Sequence, residues 1–134
     1  MTDRTPAIKL LLLPKDTNGF GTIFGGVILS NIDLASAVEA RKVSSHRYVT
    51  KAMREVEFHQ PVFLGDIVSF FTETVRVGRT SVTVRVSVEA ERWGVGPSAV
   101  GRGEHVQVTE AEVVLVAVDD GGRPVPIRPE PLTV

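Results

Sequence analysis

Hydrophobic positions along this chain change period more than once. The clearest stretch is 81–90, where Val82, Val84, Val86 and Val88 alternate with Thr83, Arg85, Ser87 and Glu89. Period two sends alternate side chains to opposite faces of a strand, so this segment has one buried face and one that meets water or a partner. Further strands are predicted over 48–58, 67–77 and 104–118. "GRT" supplies the hairpin turn before Ser81, and Gly65-Asp66 the turn before Ile67. A short apolar run over 8–13 reads as a first strand, stopped by Pro14. After it, 15–26 is rich in Asp, Asn, Thr and Gly and reads as loop. Residues 27–43 are good helix formers without Pro or Gly, and they end on Arg41 and Lys42, which suit a helix C-terminus.

The predicted order is therefore strand, long helix, four strands. Short connections predict antiparallel hairpin pairing, since parallel strands need long crossovers. The fold class that follows is α+β, with one helix over one face of a five-stranded antiparallel sheet. "WGVGPSAVGRG" reads as a flexible loop. Neither a repeat nor a linker divides the chain, so 1–134 is read as one domain, with a core over about 8–118 and an extended, proline-stiffened tail over 119–134. A single helix leaves the sheet's edges open, and open edges invite pairing; an edge-to-edge dimer is expected.

Composition narrows the function classes. A hydrophobic share of 43% with 23% charged residues excludes wholesale disorder. Net charge −1 and pI near 6.3 lack the basic excess of a nucleic-acid binder. The chain has no cysteine, which removes disulfides, thiolate nucleophiles and thiolate metal sites. The apolar run 10–13 is too short to span a membrane and lacks a signal-peptide cleavage pattern, so a cytoplasmic protein is the expectation. His46, His59 and His105 are scattered, with no two at metal-ligand spacing, and no metal site is expected. "GFGTIFGG" lacks the G-x-G-x-x-G spacing and the strand–turn–helix setting of a dinucleotide loop. A nucleophile-elbow serine is also missing.

Chemistry concentrates in "NGFGTIFGGVILSNIDLASA", residues 18–37. Polar residues do not gather on one side of the predicted helix, and a helix apolar nearly all round reads as buried. Asp33 then sits among Leu29, Leu34 and Ala37, where a carboxylate is costly unless something uses or satisfies it. Gly25 and Gly26 stand at the helix entrance, whose unpaired N–H groups and positive dipole end suit an anion; glycine lets a ligand come close. Taken singly, Asp33 reads more readily as a structural acid and the glycines as a tight turn or a packing contact. Together they form a constellation. Eight residues apart on one helix, they stand about 12 Å apart. That is too far to act on one carbonyl, so a joint site needs the acid from one subunit and the amide from another.

These residues match a known family. "DTNGFGTIFGGVILSNID", "VTKAMREVEFHQPVFLGDIVSF" and "VRVGRTSVTVRVSVEAER" closely resemble the hotdog-fold acyl-CoA thioesterases, nearest to the bacterial short- and medium-chain acyl-CoA thioester hydrolases. The similarity runs over 10–118, with Asn18, Gly21, Gly25-Gly26, Asp33, Pro61 and Gly65-Asp66 in register. The resemblance implies a curved sheet wrapped around a central helix, dimers with a continuous sheet, and further assembly into tetramers or hexamers. It implies hydrolysis of acyl-CoA to free acid and coenzyme A with no separate cofactor. It makes Asp33 the general base or, as the lesser alternative, the nucleophile. The Gly25 N–H, with Gly26 beside it, becomes the oxyanion hole, Asn18 orients water or carbonyl, and Thr50 adds a hydroxyl. Arg76, Arg79 and Ser81 resemble a segment that contacts coenzyme A, although solvated hairpin charges explain each arginine equally well. Phe24 departs from the family, which often has His there. A non-catalytic acyl-CoA-binding module is the alternative reading. Acyl length is not legible; Ile23, Phe24, Leu29 and Phe58 are candidates to close the groove.

Overall fold

The computed structural model describes residues 4–93 and 103–127. Its valine alternation becomes the middle of a sheet. Strands β1 (Ile8–Leu11), β2 (Arg47–Phe58), β3 (Ile67–Val77), β4 (Ser81–Glu91) and β5 (His105–Val118) form one antiparallel sheet in the order β1-β3-β4-β5-β2. Helix α1 (Gly25–Val43) lies across one face. On that face Val82, Val84, Val86 and Val88 of β4 are fully buried, beside Val68 and Phe70 of β3 and Val113 and Leu115 of β5. The helix answers with Ile28, Ile32, Ala35 and Ala40. Each large side chain so buried contributes about 1.5–3 kcal/mol, and this layer holds the helix on the sheet.

The expected fold class holds, with corrections. Successive strands do not all pair: β2 pairs with β5 rather than with β3, so the connection 59–66 leaves one edge of the sheet and re-enters beside β1. Pro61 and the Gly65–Asp66 turn take the chain out of a hairpin path. Helix α1 starts on the glycines themselves, two residues earlier than predicted. Strand β1 ends at Leu11, and a single 3-10 turn, Pro14–Asp16, follows. Most of the loop expected over 93–103, and residues 128–134 of the expected tail, lie outside the described residues.

A larger correction concerns the helix. Its apolar residues surround it because it has two apolar faces, only one of them covered: Leu34 is 59% exposed and Val38 42% exposed. Asp33 is half-buried, at the border between those faces. Beside Asp33 runs β2, a long edge strand. Its register shifts between Thr50 and Ala52 and between Arg54 and Glu57, and Glu55 adopts φ 54°. Such bulges bend a strand, here at the sheet edge.

Candidate active site

Two clusters stand near opposite ends of β2. At the C-terminal end is the entrance of α1. Asn18 shapes the approach: its Oδ1 accepts from the Phe20 N–H (2.9 Å) and its Nδ2 donates to Thr22 Oγ1 (2.7 Å). The Ile23 N–H then donates to Val62 O (2.8 Å) and the Phe24 N–H to Asp16 O (2.9 Å), which ties the loop to its neighbours. Phe24 precedes the first helical turn in extended conformation and offers no side-chain cap. Within the described residues the Gly25 and Gly26 amides donate no hydrogen bond, so two N–H groups remain open at the positive end of the helix. The glycines differ in kind. A Cβ on Gly26 would lie 2.7 Å from the Phe24 ring, whereas one on Gly25 would meet Phe58 at an ordinary 3.8 Å. Gly26 makes room for Phe24; Gly25 keeps its amide open to an approaching group.

A cavity of about 230 Å³ opens at this entrance, walled by Ile23, Gly25, Ile28, Phe58 and Val62, with Thr109 of β5 among its lining. Its loop wall is pinned from behind. Arg92 Nη1 pairs with the fully buried Asp66, and Arg92 Nη2 donates to Pro61 O (3.0 Å). Asp66 Oδ2 also accepts the Phe63 N–H (2.9 Å). Sequence reading missed Arg92 and Thr109, although both continue a visible phase. Arg92 follows Val88 and Ala90 inward, and Thr109 precedes Ala111, Val113 and Leu115.

At the N-terminal end of β2 is the acid. The Thr50 hydroxyl donates to Asp33 Oδ1, joining helix to edge strand across the site. Ser36 Oγ returns to the Asp33 carbonyl (2.7 Å) and leaves the carboxylate alone. One turn further on, Glu39 accepts from Thr72 (3.0 Å) and Thr74 (2.8 Å) of β3, so both its oxygens are taken. The β3–β4 turn with Arg79 lies toward this end of the sheet, since Thr50 pairs with Leu115 and Leu115 with Val82. Arg76 and Arg79 are exposed and Ser81 is half-buried.

Asp33 and Thr50 are therefore brought together in one chain. Asn18, Gly25 and Gly26 gather at the other cluster, and Arg76, Arg79 and Ser81 at the hairpin. Glu57 of β2, His59 just after it and Glu110 of β5 place their donor atoms within 4.8 Å of one another, a grouping that histidine spacing alone did not reveal. These side chains are substantially exposed, and His59 Nε2 stands 3.2 Å from Glu110 and 3.7 Å from Glu57, the arrangement of a surface ion-pair cluster. On the outer face of the sheet a larger hollow of about 480 Å³ is lined by Arg4, Lys9, Phe71, Glu89 and His105. None of the expected site residues borders it.

Comparison with known proteins places these features in a family. Residues 20–96 match the thioesterase superfamily. The chain is 33% identical over 129 residues to an acyl-CoA thioester hydrolase of Salmonella typhimurium, covering 93% of this chain and 94% of that one. A hexameric hotdog-fold thioesterase of Campylobacter jejuni superposes with TM-score 0.84 at 45% identity, over 92% of this chain and 90% of that one. A hexameric broad-specificity acyl-coenzyme A thioesterase, solved as a variant with one aspartate changed to alanine, superposes with TM-score 0.85 at 33% identity, over 94% of this chain and 88% of that one.

Proposed function

Because the chain belongs to the thioesterase superfamily, among its hotdog-fold acyl-CoA thioester hydrolases, we propose that it hydrolyses acyl-CoA with Asp33 as the base and the Gly25 amide as the oxyanion donor. Water held at Asp33 loses a proton to the carboxylate as its oxygen attacks the thioester carbonyl. The carbonyl oxygen becomes an anion, which the Gly25 N–H and the positive end of α1 stabilise. Collapse of that intermediate breaks the carbon–sulfur bond, and the leaving thiolate of coenzyme A takes up the proton. Thr50 orients the carboxylate, and Asn18 orients water or carbonyl at the amide end. Arg76, Arg79 and Ser81 meet the phosphate-bearing part of coenzyme A.

One observation carries this reading: Asp33 bonded to Thr50 near one end of an open edge strand, and the free Gly25 amide beside Phe58 at the other. Two copies pairing antiparallel along β2 set the acid end of one against the amide end of the other, which completes two sites. That contact also covers apolar surface at Phe24, Leu34, Val38, Val49 and Phe58. Relatives of this chain are hexamers, and a hexamer built from such dimers is the assembly we assign here.

The test is release of free thiol from acyl-CoAs spanning acetyl to palmitoyl, by the native protein and by Asp33→Asn. Hydrolysis that the variant loses supports the assignment; hydrolysis that it keeps overturns Asp33. Saturable binding with no release would instead make the protein an acyl-CoA-binding module.

A further inference from the structure

Among the described residues the Thr109 hydroxyl has no hydrogen-bond partner, although the residue is completely buried. Threonine on a strand normally satisfies its hydroxyl with backbone, side chain or water, and leaving it bare is costly. This one stands on β5 opposite Phe58 of β2 and Val88 of β4, next to the register shift between Val88 and Glu89. It lines the same cavity of about 230 Å³ as Gly25, whose amide is open. Ile23, Ile28, Phe58 and Val62 give the wall its apolar part, and Thr22, His59 and Gln60 its polar part. Apolar walls with a few placed polar groups are how proteins bind a chain that carries a polar atom. The cavity's volume lies below the roughly 300–1,000 Å³ of pockets for drug-sized ligands, which suits a short acyl chain.

We propose that Thr109 is a specificity-determining residue, and that its hydroxyl hydrogen-bonds an oxygen carried on a short acyl chain whose thioester carbonyl is held at Gly25. The inference rests on the hydrolase reading and refines it. The enzyme selects acyl groups with a hydroxyl or keto substituent over plain alkyl groups of equal length. A site that hydrogen-bonds a substrate oxygen rejects the analogue lacking it, because the buried group is then left unpaired.

The test compares kcat/KM for 3-hydroxybutyryl-CoA, 4-hydroxybutyryl-CoA and butyryl-CoA. The native protein is expected to favour at least one hydroxylated ester by about tenfold, equivalent to ~1.4 kcal/mol. Thr109→Val, nearly the same shape without the hydroxyl, brings that ratio to about one. Thr109→Ser keeps the preference. A native ratio of one or less for both hydroxy esters overturns the proposal, as does a preference that survives in Thr109→Val. Thiol release from longer acyl-CoAs but from none of these three overturns the proposal, whereas release from no acyl-CoA between acetyl and palmitoyl makes the hydrolase reading fall separately. Dissociation constants for the same esters then decide: tighter hydroxy-ester binding that Thr109→Val abolishes supports the role of Thr109, and equal binding refutes it.

Discussion

On the side of α1 that faces the sheet, Ile28, Ile32, Ala35 and Ala40 are buried, and Glu39 gives both carboxylate oxygens to Thr72 and Thr74 of β3. Further round the helix the hydroxyl of Thr50 on the edge strand holds one oxygen of Asp33, and beyond it Leu34 and Val38 stand exposed. Both sides carry an acid among apolar residues, and sequence alone does not separate them. What separates them is satisfaction. A carboxylate whose acceptors are filled by its own sheet fixes the helix in place. A carboxylate with an oxygen to spare, beside an uncovered surface, is available for chemistry.

Exchanging the two acids is the strongest way to break this contrast. Asp33→Asn is expected to lower kcat by about 10³-fold, within the range for a lost general base, with the thermal midpoint nearly unchanged. Glu39→Gln should do the reverse: kcat within about twofold of native, and a stability loss of about 1 kcal/mol as charge-assisted bonds from two threonines weaken. Parallel turnover and urea-denaturation measurements on the two variants check both. Equal losses of activity would mean that the helix has no division of labour.

The apolar residues allow a second, smaller crossing. Ile32→Ala opens a cavity in the sealed layer and should cost about 3 kcal/mol in urea unfolding. Leu34→Ala, on the open side, removes little that the chain itself covers. Its effect should appear in assembly: a dissociation constant raised by about tenfold in light scattering, with activity falling in step as paired sites come apart. A Leu34→Ala protein that assembles as the native one does would detach the open face from the interface.

Much of this was legible from one chain. Alternation of valines marked β4 to within a residue, and the Gly65–Asp66 turn marked the start of β3. Pairing was less legible. Short connections suggested that β2 meets β3, yet β2 joins β5, since Pro61 and the buried Asp66–Arg92 pair carry the intervening chain away across the helix entrance. The helix misled for a related reason. An apolar surface all round is the mark of a buried helix, and also of one whose second face awaits a partner. For the site, the Gly25–Gly26 entrance and Asp33 stood out by residue type. Thr109 did not, because a threonine in strand phase carries no signal until its neighbours are shown to leave its hydroxyl bare.

The finest test of the contrast is Thr50. If Asp33 is the working acid, the hydroxyl bonded to it acts through it, by keeping its carboxylate aimed at water. Thr50→Val keeps the branched shape that β2 needs and removes only the donor. A bond from a neutral hydroxyl to a carboxylate contributes about 1.5 kcal/mol, so kcat should fall by roughly tenfold. KM should hardly move, because orientation of the base matters in the transition state more than in the bound substrate. Thr50→Ser, which restores the donor on a smaller side chain, should recover most of that loss. The corresponding change on the sealed side, Thr72→Val, removes one of two bonds to Glu39 and should leave kcat where it was. If instead both valine variants slow turnover equally, Thr50 serves only to hold strand to helix, and the two faces of α1 differ in exposure but not in work.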